Sequence, residues 1–91
     1  MSVTVRVPAQ LRTLTGGAGE LSVTAGTVRG VIKSLEAEHP GFETRLLDDQ
    51  GSLRRFVNVF VADEDVRFLD GLDTSVADGQ TVSIVPAVAG G

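Results

Sequence analysis

The 91-residue chain contains no cysteine. A thiol nucleophile, a side-chain persulfide, an iron–sulfur cluster and a disulfide framework are therefore excluded, and any sulfur the protein handles must sit elsewhere than on a cysteine. Histidine is nearly absent too. His39 is the single one, and without a second histidine or a thiolate it cannot complete a metal site. Basic residues number 8 against 12 acidic ones, for a net charge of −4 and a pI near 4.7. That balance argues against nucleic acid and anionic membranes as partners. No apolar run approaches the roughly 18 residues of a membrane-spanning helix. The opening Met1-Ser2-Val3-Thr4-Val5-Arg6-Val7-Pro8 has no basic region ahead of an apolar one, so no signal peptide is expected and a cytoplasmic protein is the simplest fit.

What is present suits one small domain with a single core, since 42% of the residues are hydrophobic. Val3, Val5 and Val7 alternate with Thr4 and Arg6, a half-buried strand that Pro8 ends. Leu11 and Leu14 are placed to fold back over the core edge, and Thr15-Gly16-Gly17-Ala18-Gly19 is a loop. Leu21 and Val23 form a second alternating strand, so the first two strands read as a hairpin. The glycines of the loop match no nucleotide-binding fingerprint, and no Lys-Ser/Thr pair follows them.

Thr27 is a candidate N-cap for a helix whose apolar stripe is Val28, Val31, Ile32 and Leu35, with Arg29, Lys33, Glu36 and Glu38 opposite. Pro40-Gly41 stops it, leaving His39 at the negative end of the helix dipole. Phe42, Leu46 and Leu47 predict a short helical turn plugging the core. Asp48 and Asp49 lie in a solvated loop with no base, nucleophile or metal set beside them. Phe56 to Ala62 is the clearest strand, with Val57, Val59 and Val61 inward and Asn58 and Phe60 outward. An exposed Phe60 is a candidate partner contact. Asp63-Glu64-Asp65 is read as an acidic turn, Val66-Arg67-Phe68 as a short edge strand, and Gln80 to Val85 as the last strand. The order predicts an α+β fold, a mixed sheet of four to five strands around one main helix: the β-grasp, or ubiquitin-like, arrangement. In it the first and last strands are parallel neighbours at the sheet centre.

After Pro86 the chain continues Ala87-Val88-Ala89-Gly90-Gly91, with no charge and only Val88 larger than a methyl group. Five extended residues reach roughly 17 Å, at about 3.3–3.6 Å each. Such a tail can enter another protein's active site while the body stays outside. Terminal glycines suit a narrow channel, because without Cβ the backbone can approach a partner closely. The expected layout is a single domain over residues 1–91, with a core of residues 1–86 and a tail of residues 87–91.

Val82 to Gly91 resembles the end of the MoaD/ThiS family of sulfur carriers, and the resemblance spans nearly the whole chain. Arg55-Phe56-Val57-Asn58 and Asp63-Glu64-Asp65-Val66-Arg67-Phe68 are closest to the branch that serves bacterial cysteine biosynthesis. The resemblance implies that Gly91 is the functional terminus and that Gly90, Ala89, Val88 and Ala87 are bound by partners. A terminal carboxylate, with a pKa near 3.5, is anionic at neutral pH and a poor electrophile, so it needs activation. In relatives a ubiquitin-activating-type enzyme uses MgATP to adenylate the last glycine, and sulfur then displaces AMP to leave a thiocarboxylate. The cysteine-forming branch implies attack on an aminoacrylate held by a pyridoxal-phosphate-dependent cysteine synthase. An acyl shift follows, and a zinc metalloprotease releases cysteine. The chain itself is then a protein cosubstrate with no bound cofactor or metal. Two further readings stand beside this one: the small subunit of molybdopterin synthase, and a ubiquitin-like modifier or passive interaction module.

Overall fold

The computed structural model describes residues 2–24 and 26–86; the tail expected over residues 87–91 lies outside them. Five strands and two helices follow in the order β1 (Ser2–Arg6), β2 (Glu20–Thr24), α1 (Val28–Glu38), α2 (Phe42–Leu46), β3 (Val57–Val61), β4 (Glu64–Asp65) and β5 (Thr81–Pro86). Short 3₁₀ turns occupy Ala9–Thr15, Val66–Phe68 and Gly71–Asp73. The sheet order is β2-β1-β5-β3-β4. β1 pairs antiparallel with β2 and parallel with β5, and β5 pairs antiparallel with β3. This is the β-grasp topology, with the last strand in the middle of the sheet.

Local chemistry explains each element. The alternating valines of β1 and β3 put Val3, Val5, Val57, Val59 and Val61 on one buried face. Val82 and Ile84 of β5 join them. The stripe Val28, Val31, Ile32 and Leu35 closes the core from α1. Thr27 caps that helix, its hydroxyl accepting the Gly30 amide at 3.1 Å. The Val28 amide, another donor without a partner inside the helix, bonds the Thr74 carbonyl at 3.1 Å. Phe42 and Leu46 are fully enclosed and plug the end of the core from α2. That short helix is anchored by Glu36, whose Oε1 accepts the amides of Gly41 at 3.0 Å and Glu43 at 2.9 Å. His39 lies edge-on to Phe42, with ring centroids 6.5 Å apart.

Several boundaries differ from the sequence reading; β3 and the start of β5 do so by single residues. The acidic turn is tighter than expected, because only Ala62 and Asp63 form the loop, both at positive φ (50° and 73°). Phe60 then faces Asp65, and Val61 faces Glu64, in a two-residue hairpin. Two successive positive φ values match the right-handed strand twist, which is why this loop can be so short. The edge strand is accordingly Glu64–Asp65, and Val66–Phe68 is a 3₁₀ turn. Asp65 Oδ1 accepts the Arg67 amide at 2.8 Å and caps that turn, diverting the chain from the sheet. Pro86, expected just past the last strand, is paired within it, opposite Val57.

Replacing Thr27 with alanine should lower unfolding free energy by about 1 kcal/mol. Phe42→Ala should cost about 3–5 kcal/mol. Urea denaturation followed by circular dichroism measures both, and a Phe42 effect no larger than the Thr27 effect would contradict the assignment of Phe42 as the plug.

Candidate functional site

The sheet has one face on the core, so alternate residues of each strand line the other. On β5 these are Thr81, Ser83 and Val85; on β3 they are Asn58 and Phe60; on β1 they are Thr4 and Arg6. Arg6 meets Glu20 of β2 at 3.6 Å, an exposed pair that contributes little to stability. Toward the end of β5 this polar face becomes apolar. Val85 is 45% exposed, and Phe56, just before β3, is 64% exposed. Phe68, on the turn after β4, is 87% exposed. The chain therefore passes into residues 87–91 from the middle of a sheet, at the end where Val85 and Phe56 are exposed.

Arg67 ties this end together. Its Nη1 donates to Asn58 Oδ1 at 2.6 Å, and its Nη2 donates to the Arg54 carbonyl at 2.8 Å. The same carbonyl accepts the Val57 amide at 3.0 Å, closing a four-residue turn with Arg55 and Phe56 at its tip. Arg54 is held in turn by α2: its amide bonds the Leu46 carbonyl at 2.9 Å, and its Nε bonds the Thr44 carbonyl at 3.1 Å. None of this resembles a catalytic constellation. Among the described residues no group of three or more histidines, cysteines, aspartates or glutamates could hold a metal ion. Asp48 Oδ1 accepts the amides of Gln50 at 2.9 Å and Ser52 at 3.0 Å, so that carboxylate shapes its own loop. Among the described residues no helix is long and apolar enough to cross a membrane.

A domain that offers one sheet end and a small-residue continuation matches a known family. The ThiS family model covers residues 5–91. The chain belongs to the ThiS family. This ThiS-family chain is 52% identical to the sulfur carrier protein CysO of Mycobacterium tuberculosis, over 100% of both chains. It superposes with a TM-score of 0.92 and 48% identity on a chain of the Amycolatopsis orientalis BexX/CysO complex, covering 98% of this chain and 99% of that one. It is also 46% identical to small archaeal modifier protein 3 of Haloferax volcanii, over 71% of this chain and 70% of that protein.

Of the residues singled out from the ThiS-like sequence, Gly91, Gly90, Ala89, Val88 and Ala87 lie outside the described residues. Phe60 lies on the outward face, as expected, but is partly buried and not exposed. The reason is its place in the sheet: it is an interior position, with Ser83 beside it on β5 and Asp65 beside it on β4. The exposed aromatics are Phe56 and Phe68, neither of which is in a strand. Asp65-Val66-Arg67 carried the missing signal, since an aspartate two residues ahead of a turn amide is a local cap that ends a strand. Phe68→Ser in this ThiS-family protein should leave folding stability within about 0.5 kcal/mol, as expected for an exposed site. Thermal denaturation checks it, and a substantial loss would mean that Phe68 packs where the structure leaves it open.

Proposed function

We propose that this chain is a sulfur carrier, a protein cosubstrate and not an enzyme, whose Gly91 is converted to a thiocarboxylate and supplies sulfur for cysteine formation. One observation carries the reading: the central strand of the sheet ends at Pro86, and the sequence continues from there as uncharged small residues to Gly90-Gly91. Full-length identity of 52% to a sulfur carrier supports it.

The chemistry follows from a carboxylate that is unreactive by itself. A ubiquitin-activating-type partner, using MgATP, lets a Gly91 oxygen attack the α-phosphorus of ATP, and pyrophosphate leaves. A sulfide equivalent then attacks the acyl carbon and expels AMP, giving the thiocarboxylate. With no cysteine in the chain, no internal thiol competes for the activated carbonyl. The thiocarboxylate sulfur then adds to the β-carbon of a dehydrated amino acid bound by a pyridoxal-phosphate-dependent cysteine synthase. Shift of the acyl group from sulfur to the amine leaves cysteine in amide linkage to Gly91, and a zinc-dependent metalloprotease hydrolyses that bond. The folded body contributes recognition: residues 87–90 are the part a partner's channel accepts, and Phe60 lies on the sheet face that leads to it. A second reading, a protein modifier forming amides with lysines, is favoured by the likeness to archaeal modifier proteins.

Intact-protein mass spectrometry, with and without thiol alkylation, tests the proposal on chain incubated with the activating partner, MgATP and a sulfur donor. The expected product is heavier by one oxygen-to-sulfur exchange, with the alkylation mapped to Gly91. In cells, a further species carrying one cysteinyl residue is expected. Deleting Gly90-Gly91 should abolish loading while leaving the circular dichroism spectrum and melting temperature unchanged. Lysine conjugates with no sulfur-bearing species would select the modifier reading instead.

A further inference from the structure

We propose that Arg67 is a positioning residue for the C-terminal segment: it splints the Asn58–Val85 rung between β3 and β5 and so fixes the strand end from which the chain enters residues 87–91. The splint rests on geometry, and its consequence for loading rests on the carrier reading above.

Support for β5 thins toward its end. The parallel pairing with β1 covers Thr81, Val82 and Ser83 and goes no further. Val85 and Pro86 have only β3 beside them, facing Asn58 and Val57. The Ala62 amide bonds the Thr81 carbonyl at 3.2 Å, which makes that opposed pair a hydrogen-bonded one. Such pairs alternate along an antiparallel ladder, so Phe60–Ser83 and Asn58–Val85 are hydrogen-bonded and Val57–Pro86 is not. Proline, with no N–H, is tolerated at the last position for that reason. Asn58–Val85 is thus the last such rung among the described residues.

The guanidinium of Arg67 grips both sides of the start of β3. One nitrogen holds the Asn58 side chain at 2.6 Å, and the other holds the Arg54 carbonyl that closes the preceding turn, at 2.8 Å. Its own backbone is set by the Asp65 carboxylate at 2.8 Å, and its neighbour Val66 is fully buried in the core. The planar fork of arginine can make both contacts at once, whereas a lysine ammonium is a single point that cannot span them in the same way. Because Arg67 is exposed, these bonds compete with water and their loss should be felt locally, not throughout the core. Local loosening at this rung widens the directions in which the following residues set out, so fewer encounters with a partner's channel are productive.

Arg67→Ala and Arg67→Lys in the full chain test this by amide hydrogen exchange together with steady-state loading by the adenylating partner, MgATP and a sulfide donor. In both variants exchange at the Asn58 and Val85 amides should quicken about tenfold, as expected for losing a charge-assisted pair of bonds, while Val5 and Val82 are unchanged. The KM for the carrier should rise about fivefold at an unaltered kcat, with the lysine variant failing to restore it. Unchanged exchange at Asn58 and Val85 would overturn the splint, and so would faster exchange across the whole sheet, which marks general destabilisation. Faster exchange at the rung with wild-type KM would overturn the link to departure, as would full rescue by lysine. If wild-type chain itself fails to load, the carrier reading falls, and the exchange comparison alone decides whether Arg67 is the splint.

Discussion

The structure depends on β5 being hydrogen-bonded on both sides, to β1 in parallel and to β3 in antiparallel. A parallel pair cannot be closed by a tight turn, so the chain between β1 and β5 must travel around the sheet. It does so through β2, α1, α2 and the β3–β4 hairpin, and in doing so supplies the helix and valines that cover the inner face. Without the central strand, Val82 and Ile84 would leave the core, and β1 and β3 would become two unconnected edges.

The same constraint separates stability from function. A last strand held at the sheet centre carries the chain into residues 87–91 from between two paired neighbours, while its Val82 and Ile84 fill the core. The sheet's inner face is aliphatic, with Phe42 as its one large plug. Its outer face is polar along β1 and β2, and apolar where β5 ends. Division of labour of this kind suits the proposed carrier role, in which the body is recognised and the segment after it enters a partner. The absence of cysteine agrees with the proposed role, in which an activated acyl group would meet no internal thiol.

Elements with a strong period were legible from residues alone. The valine alternations of β1 and β3, the Val28-Val31-Ile32-Leu35 stripe and the Thr27 cap all appear where the sequence puts them. The Ala62-Asp63 hairpin was not legible, because alanine rarely adopts positive φ and the pair lacks the glycine or asparagine that marks such turns. Misplacing that turn by two residues moved the edge strand from Glu64–Asp65 onto Val66–Phe68. Phe60 shows the complementary limit. Alternation identified its face correctly, but exposure depends on which strands lie on either side, and Phe60 sits between Ser83 and Asp65.

Sequence by itself determined the class of fold, the core-facing residues, the lack of any cysteine thiol and the likeness of the final ten residues to sulfur carriers. These follow from side-chain identity, local periodicity and chain order, which need no knowledge of distant neighbours. Only the tertiary structure decided that Pro86 sits in a rung without hydrogen bonds, that β1 stops supporting β5 at Ser83, and that Arg67 reaches both Arg54 and Asn58. Those facts depend on strand register and on a side chain spanning residues distant in sequence, and no local pattern encodes either.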